Sequence, residues 1–259
     1  MKQSDSLAST QRALPISLIA TPRAAFLTCR EEEETSVASN RHPDIDHLPV
    51  VAGEGADERI VGLLDSYQHR QSPAGQLVAE HFTPLRESHL IGADAPIREF
   101  VLAADVHSCR LLVSGTQVSG LVTLSDLQAL PVRAALFAMI TQLEMSLADA
   151  VRSEFPAGEG WLERLTPGRR AKVTQTIAQA QAGDAFVDAL LFTQFCDKAD
   201  IVRKADGFAV LGFREDMKRA QKLRDNLSHS NHYADTREEA LQLCVTVRTI
   251  DRWIEYFCA

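Results

Sequence analysis

Two short apolar segments with a turn between them occupy residues 109–126, CRLLVSGTQVSGLVTLSD. The turn from Ser114 to Gln117 has the glycine and the small polar residues that connect the strands of β-hairpins. The segments on either side are rich in Val and Leu, and the second runs directly into the polar residues that begin at Thr123. The stretch therefore predicts a β-hairpin that ends in a polar turn.

The same pattern occurs earlier in the chain, which indicates an internal repeat. Apolar segments at residues 47–51 and 60–64 enclose a glycine-containing turn at residues 52–58. Gly62 holds the place in this first copy that Gly120 holds in the second. A repeat of this size suits two tandem αβ units better than a helical solenoid.

The polar turn after the second hairpin resembles the strand-to-helix turn of CBS domains. In that family a Gly is followed three positions later by Thr or Ser, and three positions after that by Asp. Gly120, Thr123 and Asp126 match this spacing. The resemblance implies a tandem CBS module that binds a regulatory adenine nucleotide at these three residues. It also implies that Leu90 and Ile91 close the site from the other side.

The residue types in this turn suit a nucleotide. A hydroxyl and backbone N–H groups at a helix N-terminus can hold a phosphate, and a carboxylate in the first turn can accept protons from ribose hydroxyls. The same pattern is also a common helix cap, so a purely structural turn is the alternative. In the first copy Asp65 replaces Thr123, and Gln68 replaces Asp126. Because a carboxylate at the phosphate position would repel the ligand, we expect one nucleotide site per chain.

From Pro131 onward the apolar pattern is helical. Residues recur at helical spacing at Val132, Leu136, Met139, Ile140, Leu143, Leu147 and Val151. Helices are predicted over Ser72–Glu80, Pro96–Ala104, Pro131 to about Pro156, Pro167–Gln181, Ala185–Lys204, Arg214–His229 and Thr236–Phe257. The predicted fold class is thus α+β, with a flexible N-terminus at 1–13, tandem CBS αβ units at 14–130 and a C-terminal all-α helical bundle at 131–259.

The helical region contains LRDNLSH at residues 223–229, which resembles the catalytic signature of the HEPN superfamily. That resemblance implies a metal-independent endoribonuclease of the defence or stress-response type, which requires no cofactor. The 2′-hydroxyl of RNA would attack the adjacent phosphorus. Arg224 would stabilise the developing charge, and His229 would transfer protons near neutral pH. Asp225 would orient the His229 ring from four residues away.

The spacing of the two catalytic candidates sets a condition on this hypothesis. At ~100° per residue, Arg224 and His229 lie ~140° apart on an ideal helix, so they share no narrow face. In the HEPN family two copies of the motif pair across a dimer interface. A homodimer is therefore part of the ribonuclease hypothesis.

Three cations follow one another at four-residue spacing in the same predicted helix, namely Arg214, Lys218 and Lys222. They would contact the phosphates of RNA, although a solvated helix face compensated by acidic neighbours is the alternative. His229 and His232 could bind a metal in principle, but no third ligand is evident, so no metal site is expected.

The composition of the 259 residues is that of a globular protein, with 45% hydrophobic and 24% charged residues and a net charge of −8. The five cysteines have no zinc-ligand spacing and suit a reducing cytosol. We expect a cytoplasmic protein without a membrane partner, since no apolar run approaches the ~20 residues that span a bilayer. Two alternatives to the nuclease remain: a non-catalytic regulator whose helical region dimerises or docks on a protein, and one that binds RNA without cutting it.

Overall fold

The computed structural model describes residues 3–156, 158–183, 188–205, 210–229 and 231–258. It divides into two compact units, residues 12–132 and a second unit built from the residues before and after them. The first, here called the αβ unit, contains all of the described strands, and the second, the helical unit, contains none of them. The predicted α+β class is confirmed.

The described strands are β1 Thr21–Pro22, β2 Cys29–Arg30, β3 His47–Ala52, β4 Arg59–Asp65, β5 Thr83–Pro84, β6 Leu90–Gly92, β7 Cys109–Ser114 and β8 Gln117–Thr123. The described α-helices are α1 Gln3–Arg12, α2 Thr35–Arg41, α3 Ser66–His69, α4 Val78–His81, α5 Ile97–Val101, α6 Leu130–Glu154, α7 Pro167–Ala182, α8 Phe195–Arg203, α9 Phe213–Ser228 and α10 Arg237–Cys258. Within the described residues the strands form two four-stranded sheets, ordered β2-β3-β4-β5 and β1-β8-β7-β6.

Both predicted hairpins are present, and they share one irregularity. β3 and β4 are antiparallel with a register shift between Val50 and Val51, and β7 and β8 shift between Leu112 and Val113. An extra residue at such a bulge bends the strand and increases its twist. Because the shift falls at the same place in both hairpins, the internal repeat extends to backbone detail.

The two repeats exchange their leading segments. Thr21–Pro22 pairs with β8 of the second repeat, and Thr83–Pro84 pairs with β4 of the first. Reciprocal backbone bonds join Ile16 to Ala95 and Val78 to Glu33, with nitrogen–oxygen distances of 2.7 and 2.9 Å. Neither sheet is complete without the segment that leads the other repeat, so the αβ unit is expected to fold as one body.

Side chains of the hairpins alternate between two faces, as the strand period requires. Leu64 packs in one core cluster with Leu48 and Val50 of the first repeat. The adjacent Leu63 packs instead with Leu111 and Leu121 of the second repeat. The core of the αβ unit is therefore shared by both repeats.

The helix predicted over Ser72–Glu80 is wrong for most of its length, because α4 covers only Val78–His81. Pro73 and Gly75 interrupt the segment, and Gly75 has a left-handed φ of +86° that does not occur inside a helix. The helix predicted over Pro96–Ala104 is confirmed in a shorter form as α5.

In the helical unit, α6, α7, α9 and α10 begin and end within a few residues of their predicted limits. The apolar residues predicted to face the core of α6 are all buried. The helix predicted from Ala185 differs: α8 begins at Phe195, where Gln194 and Asp197 form a capping box, and Ala189–Phe192 is a separate 3-10 turn. Residues 185–187 lie outside the described residues.

The N-terminus forms helix α1 where a flexible segment at 1–13 is predicted. Its Gln11 is 4% exposed, and the side-chain amide donates to the carbonyl of Ala135 at 3.0 Å. A buried amide needs such a partner, and the contact attaches the end of α1 to the helical unit.

Helix α6 has the length and the hydropathy that a membrane-spanning helix needs, contrary to the predicted absence of such an apolar run. Of its 18-residue apolar window, 56% is buried inside the structure. Burial of this kind is also what a core helix of a helical bundle shows.

Candidate functional site

The turn that follows β8 is built by hydrogen bonds between its own polar side chains. The backbone N–H of Thr123 donates to Asp126 Oδ2 at 2.7 Å, and the Thr123 hydroxyl donates to the same oxygen at 3.3 Å. The Ser125 hydroxyl lies 3.0 Å from that of Thr123. Together they form a capping box at the start of a 3-10 turn, Leu124–Gln128, so the cap alternative describes the geometry correctly.

The Asp126 carboxylate keeps an acceptor atom for another group. Among the described residues only its Oδ2 accepts hydrogen bonds, which leaves Oδ1 free. Burial raises the pKa of the carboxyl, and the two bonds from Thr123 act in the opposite direction. The result is a half-buried carboxylate held in place on one side and open on the other.

The equivalent turn after β4 uses the opposite arrangement of charge. Asp65 and Thr123 hold matching places, since they pair with the first residues of β3 and β7. The Asp65 carboxylate accepts from the backbone N–H of Gln68 at 3.2 Å and from its side-chain amide at 2.9 Å. This turn is capped as well, but a carboxylate stands where the second turn has a hydroxyl.

Gly120 lies close to the strand that pairs with β8. A Cβ at this position would lie 3.1 Å from the carbonyl oxygen of Thr21 and 3.2 Å from Ala20 Cβ. Gly120 therefore permits the close approach of strand β1 of the same chain, and its predicted part in nucleotide binding stays a prediction.

The predicted closure by Leu90 and Ile91 is not formed as a pair. The two residues are neighbours in β6, aligned with Leu111 and Leu112, so their side chains point to opposite faces of the sheet. Leu90 packs against the core cluster that contains Leu111. At most one of the two side chains can face a given ligand.

In the helical unit, Arg224 lies in a chain of charged groups that the sequence did not reveal. Its Nε is 3.6 Å from Glu144 Oε2, while Glu144 Oε1 is 3.0 Å from Lys198 Nζ. Lys198 is 4% exposed and also donates to the Thr193 carbonyl at 2.9 Å. The sequence does place Glu144 and Lys198 within apolar helix faces. Because charged residues are rarely buried without a partner, this placement could have indicated the ion pair.

Asp225 and His229 are not joined in the way that the sequence predicts. Asp225 Oδ1 lies 3.7 Å from Arg224 Nη1, and within the described residues no hydrogen bond links its carboxylate to the His229 ring. His229 is exposed and ends α9, where its backbone N–H donates to the carbonyl of Asp225 at 3.1 Å. Arg224 and His229 are likewise not in contact by hydrogen bond or ion pair. Arg224 precedes the last turn of α9, and His229 is the residue that caps its C-terminus.

The end of α9 is held by Arg133, another residue that sequence reasoning missed. Its guanidinium donates to the carbonyls of Asn226 at 3.1 Å, Leu227 at 3.0 Å and Asn231 at 2.8 Å. The same group lies 5.0 Å from the centre of the Tyr233 ring, a distance typical of a cation–π contact.

The three cations of α9 line two different clefts. Arg214 and Lys218 line a cleft between α8 and α9, whereas Lys222 lines a different cleft between α9 and α10. All three are exposed. No group of three or more metal-ligating side chains occurs among the described residues, and His232 Nδ1 lies 2.6 Å from Asp235.

About half of the chain is similar to solved CBS-domain structures. The CBS domain of a bacterial CNNM/CorC family Mg2+ transporter is 19% identical over 51% of this chain and 85% of its own length, with a TM-score of 0.39. A structure of such a domain in complex with ATP is 19% identical over 51% of this chain and 99% of its own length, with a TM-score of 0.39. The CBS-pair protein CBSX2 from Arabidopsis thaliana is 16% identical over 47% of this chain and 94% of its own length, with a TM-score of 0.36. No family model and no curated protein matches the chain.

Proposed function

We propose that the αβ unit is a regulatory sensor that binds one adenine nucleotide at the turn formed by Thr123, Ser125 and Asp126. The observation that carries the proposal is the fixed, half-buried Asp126 carboxylate with its second oxygen free. The same turn carries the hydroxyls of Thr123 and Ser125, whose oxygens lie 3.0 Å apart. This combination of acceptor and hydroxyl groups is the one that a ribose and a phosphate require.

Each polar group of the turn has its own role in binding the nucleotide. Asp126 Oδ1 accepts from ribose hydroxyls, and the Ser125 hydroxyl donates to a phosphate oxygen. The Thr123 hydroxyl, which has one proton, exchanges its 3.3 Å bond to Asp126 Oδ2 for a bond to a phosphate oxygen. Because the Thr123 backbone N–H still holds Asp126 Oδ2 at 2.7 Å, the carboxylate loses little side-chain freedom on binding. The first-repeat turn, with the Asp65 carboxylate in the phosphate position, repels the same ligand.

Calorimetric titration of the whole protein with AMP, ADP and ATP tests the sensor. We expect one of them to bind, and we expect Thr123→Val, which keeps the shape and removes the hydroxyl, to weaken binding by about tenfold or more. Asp65→Asn is the matched control in the first repeat and should leave the affinity unchanged. No binding of any of the three, or wild-type affinity in Thr123→Val, contradicts the proposal.

A second candidate function, metal-independent endoribonuclease activity, is favoured by the surroundings of Arg224. Its half-exposed guanidinium makes only the ion pairs at 3.6 and 3.7 Å and no hydrogen bond among the described residues. Its N–H groups therefore remain available to the charge that develops on a scissile phosphate. The exposed His229 at the end of the same helix can transfer protons.

In this second candidate Asp225 orients Arg224 rather than His229, in keeping with the ion pair between Asp225 and Arg224. RNA would also contact Arg214, Lys218 and Lys222, whose four-residue spacing places them along one broad face of α9. A homodimer is part of the candidate, since one copy of α9 does not bring the two catalytic groups together.

Incubation of the purified protein with mixed RNA in the presence of a chelator tests the nuclease. We expect products that end in a cyclic phosphate, and we expect them to disappear in His229→Ala. The matched control is His232→Ala, which removes another exposed imidazole of the same segment. Cleavage that survives His229→Ala, or no cleavage by the wild type, leaves the helical unit as a non-catalytic part that dimerises or binds RNA or protein.

A further inference from the structure

Arg133 stands in an unusual place for a cation. It lies in the first turn of α6, in which no acidic residue is present, and a positive charge at a helix N-terminus is disfavoured by the helix dipole. Its guanidinium is used elsewhere, since it donates to three carbonyls at the end of α9, at 2.8 to 3.1 Å. There the dipole has the opposite sign and the last carbonyls of the helix lack partners.

The segment that Arg133 holds is the one that carries His229. Two of the three carbonyls belong to Asn226 and Leu227 in the last turn of α9, and the third belongs to Asn231 just beyond it. The backbone N–H of Asn231 also donates to the carbonyl of Asn226 at 2.9 Å. One guanidinium thus fixes both sides of the helix end, and with it the direction in which His229 leaves the helix.

Arg133 also follows closely on the proposed nucleotide turn. The 3-10 turn Leu124–Gln128 is followed by α6, which begins at Leu130. Val132 and Ala135, on either side of Arg133, are buried, so the backbone at Arg133 cannot move independently of the first turn of α6. A displacement of that turn changes hydrogen bonds that depend on correct distance and direction.

We propose that Arg133 is a positioning residue that makes the end of α9, and hence His229, respond to the nucleotide bound at Thr123 and Asp126. This inference rests on the proposed nucleotide site but not on ribonuclease activity. Binding at the turn shifts the equilibrium between states in which Arg133 does and does not bond the carbonyls of Asn226, Leu227 and Asn231.

Hydrogen exchange of the full-length protein, with and without saturating ATP, ADP or AMP, tests the inference. The reporters are the amides of His229 and Asn231, which donate to Asp225 and Asn226. In the wild type we expect the bound nucleotide to change their exchange rates by about threefold or more. In Arg133→Gln we expect exchange in its absence to be about tenfold faster and the nucleotide-dependent change to be lost.

Two further variants separate positioning from general stability. Arg133→Lys keeps the charge but not the fork of donors, so it should retain a smaller nucleotide-dependent change. Lys172→Gln removes an exposed cation from α7 and should behave as the wild type. Because coupling is reciprocal, nucleotide affinity in the Arg133 variants should differ from that of the wild type by no more than about threefold. A wild type that binds nucleotide without any change at these amides, or an Arg133→Gln variant that keeps the change, overturns the inference and leaves the nucleotide site intact. Failure of all three nucleotides to bind overturns the proposed function and the inference together.

Discussion

The two turns at residues 65–68 and 123–126 are both capped by a carboxylate, but the carboxylate stands at opposite ends of the two turns. Each follows the second strand of a hairpin, and each is closed by a carboxylate that accepts from a backbone N–H. In the first turn the carboxylate is on the first residue, and in the second it is on the last. The comparison shows that capping alone does not distinguish a binding turn from a structural one. Under the proposed function the place of the carboxylate does, because the second turn has a hydroxyl at the position proposed for phosphate, where the first turn has the Asp65 carboxylate.

The largest effect is expected when the second turn is converted into a copy of the first. Thr123→Asp combined with Asp126→Gln keeps a capped turn but puts a carboxylate at the phosphate position. Charge repulsion and the lost hydrogen bonds should weaken nucleotide binding by about a hundredfold or more in calorimetric titration. The reciprocal pair, Asp65→Thr with Gln68→Asp, is the control and should leave the affinity of the second site unchanged. Retained binding in the converted turn would show that the place of the carboxylate is not decisive.

The glycines that precede the turns should differ in their tolerance of a methyl group. A Cβ at Gly62 would lie 2.3 Å from Phe82 Cδ2 and 2.4 Å from the Thr83 carbonyl oxygen, whereas a Cβ at Gly120 meets nothing closer than 3.1 Å. Gly62→Ala should therefore lower the free energy of unfolding by about 2 kcal/mol and Gly120→Ala by about 1 kcal/mol or less. Denaturant unfolding measures both, and equal losses would mean that the two repeats are packed alike at this point.

The pH dependence of binding should reveal the ionisation of Asp126. Burial raises the pKa of this carboxyl, and the ionised form accepts from ribose, so nucleotide affinity should fall as the pH is lowered. The fall should begin at a higher pH than an exposed aspartate would give, because the pKa is raised. Asp126→Asn should bind about tenfold more weakly at neutral pH and show a flatter profile. Comparing the two profiles removes the contribution of the nucleotide's own phosphate, and parallel profiles would contradict a role for Asp126.

The smallest effect is expected in the first turn, where the Asp65 carboxylate caps a short helix. Asp65→Ala should lower the free energy of unfolding by about 1 kcal/mol, as the loss of a helix cap does, without a change in nucleotide affinity. Thermal unfolding and titration of the same sample measure the two quantities. A loss of affinity in this variant would mean that the first repeat takes part in binding.

Local signals in the sequence were sufficient for the hairpins, the repeat and most of the helices. The positions of Gly62, Gly120 and the polar turns could be read because strand alternation and turn residues act over a few positions. The prediction of a helix through Pro73 and Gly75 is wrong because both residues stop helices, and only Val78–His81 is helical. The exchange of leading segments between repeats could not be read, since pairing of Thr21 with Leu121 depends on contacts that are distant in sequence.

The candidate sites were predictable as residues but not as arrangements. Thr123 and Asp126 could be singled out from their spacing, yet the spacing could not tell that Gly120 is covered by β1. In the helical unit the motif pointed to Arg224 and His229, whereas Glu144 of α6 pairs with Arg224 and Arg133 of α6 holds the carbonyls at the end of α9. Single residues on distant helices leave no local pattern, so their roles become visible only when the helices are packed.

The comparison of the two turns is tested most directly by the amide NMR spectrum of the full-length protein during titration with the adenine nucleotide that binds. We expect the resonances of residues 123–126 to shift in proportion to occupancy, while those of residues 65–68 stay near their positions in the free protein. Shifts of equal size at both turns, or shifts confined to the first turn, would contradict the assignment of a single competent site to the second repeat.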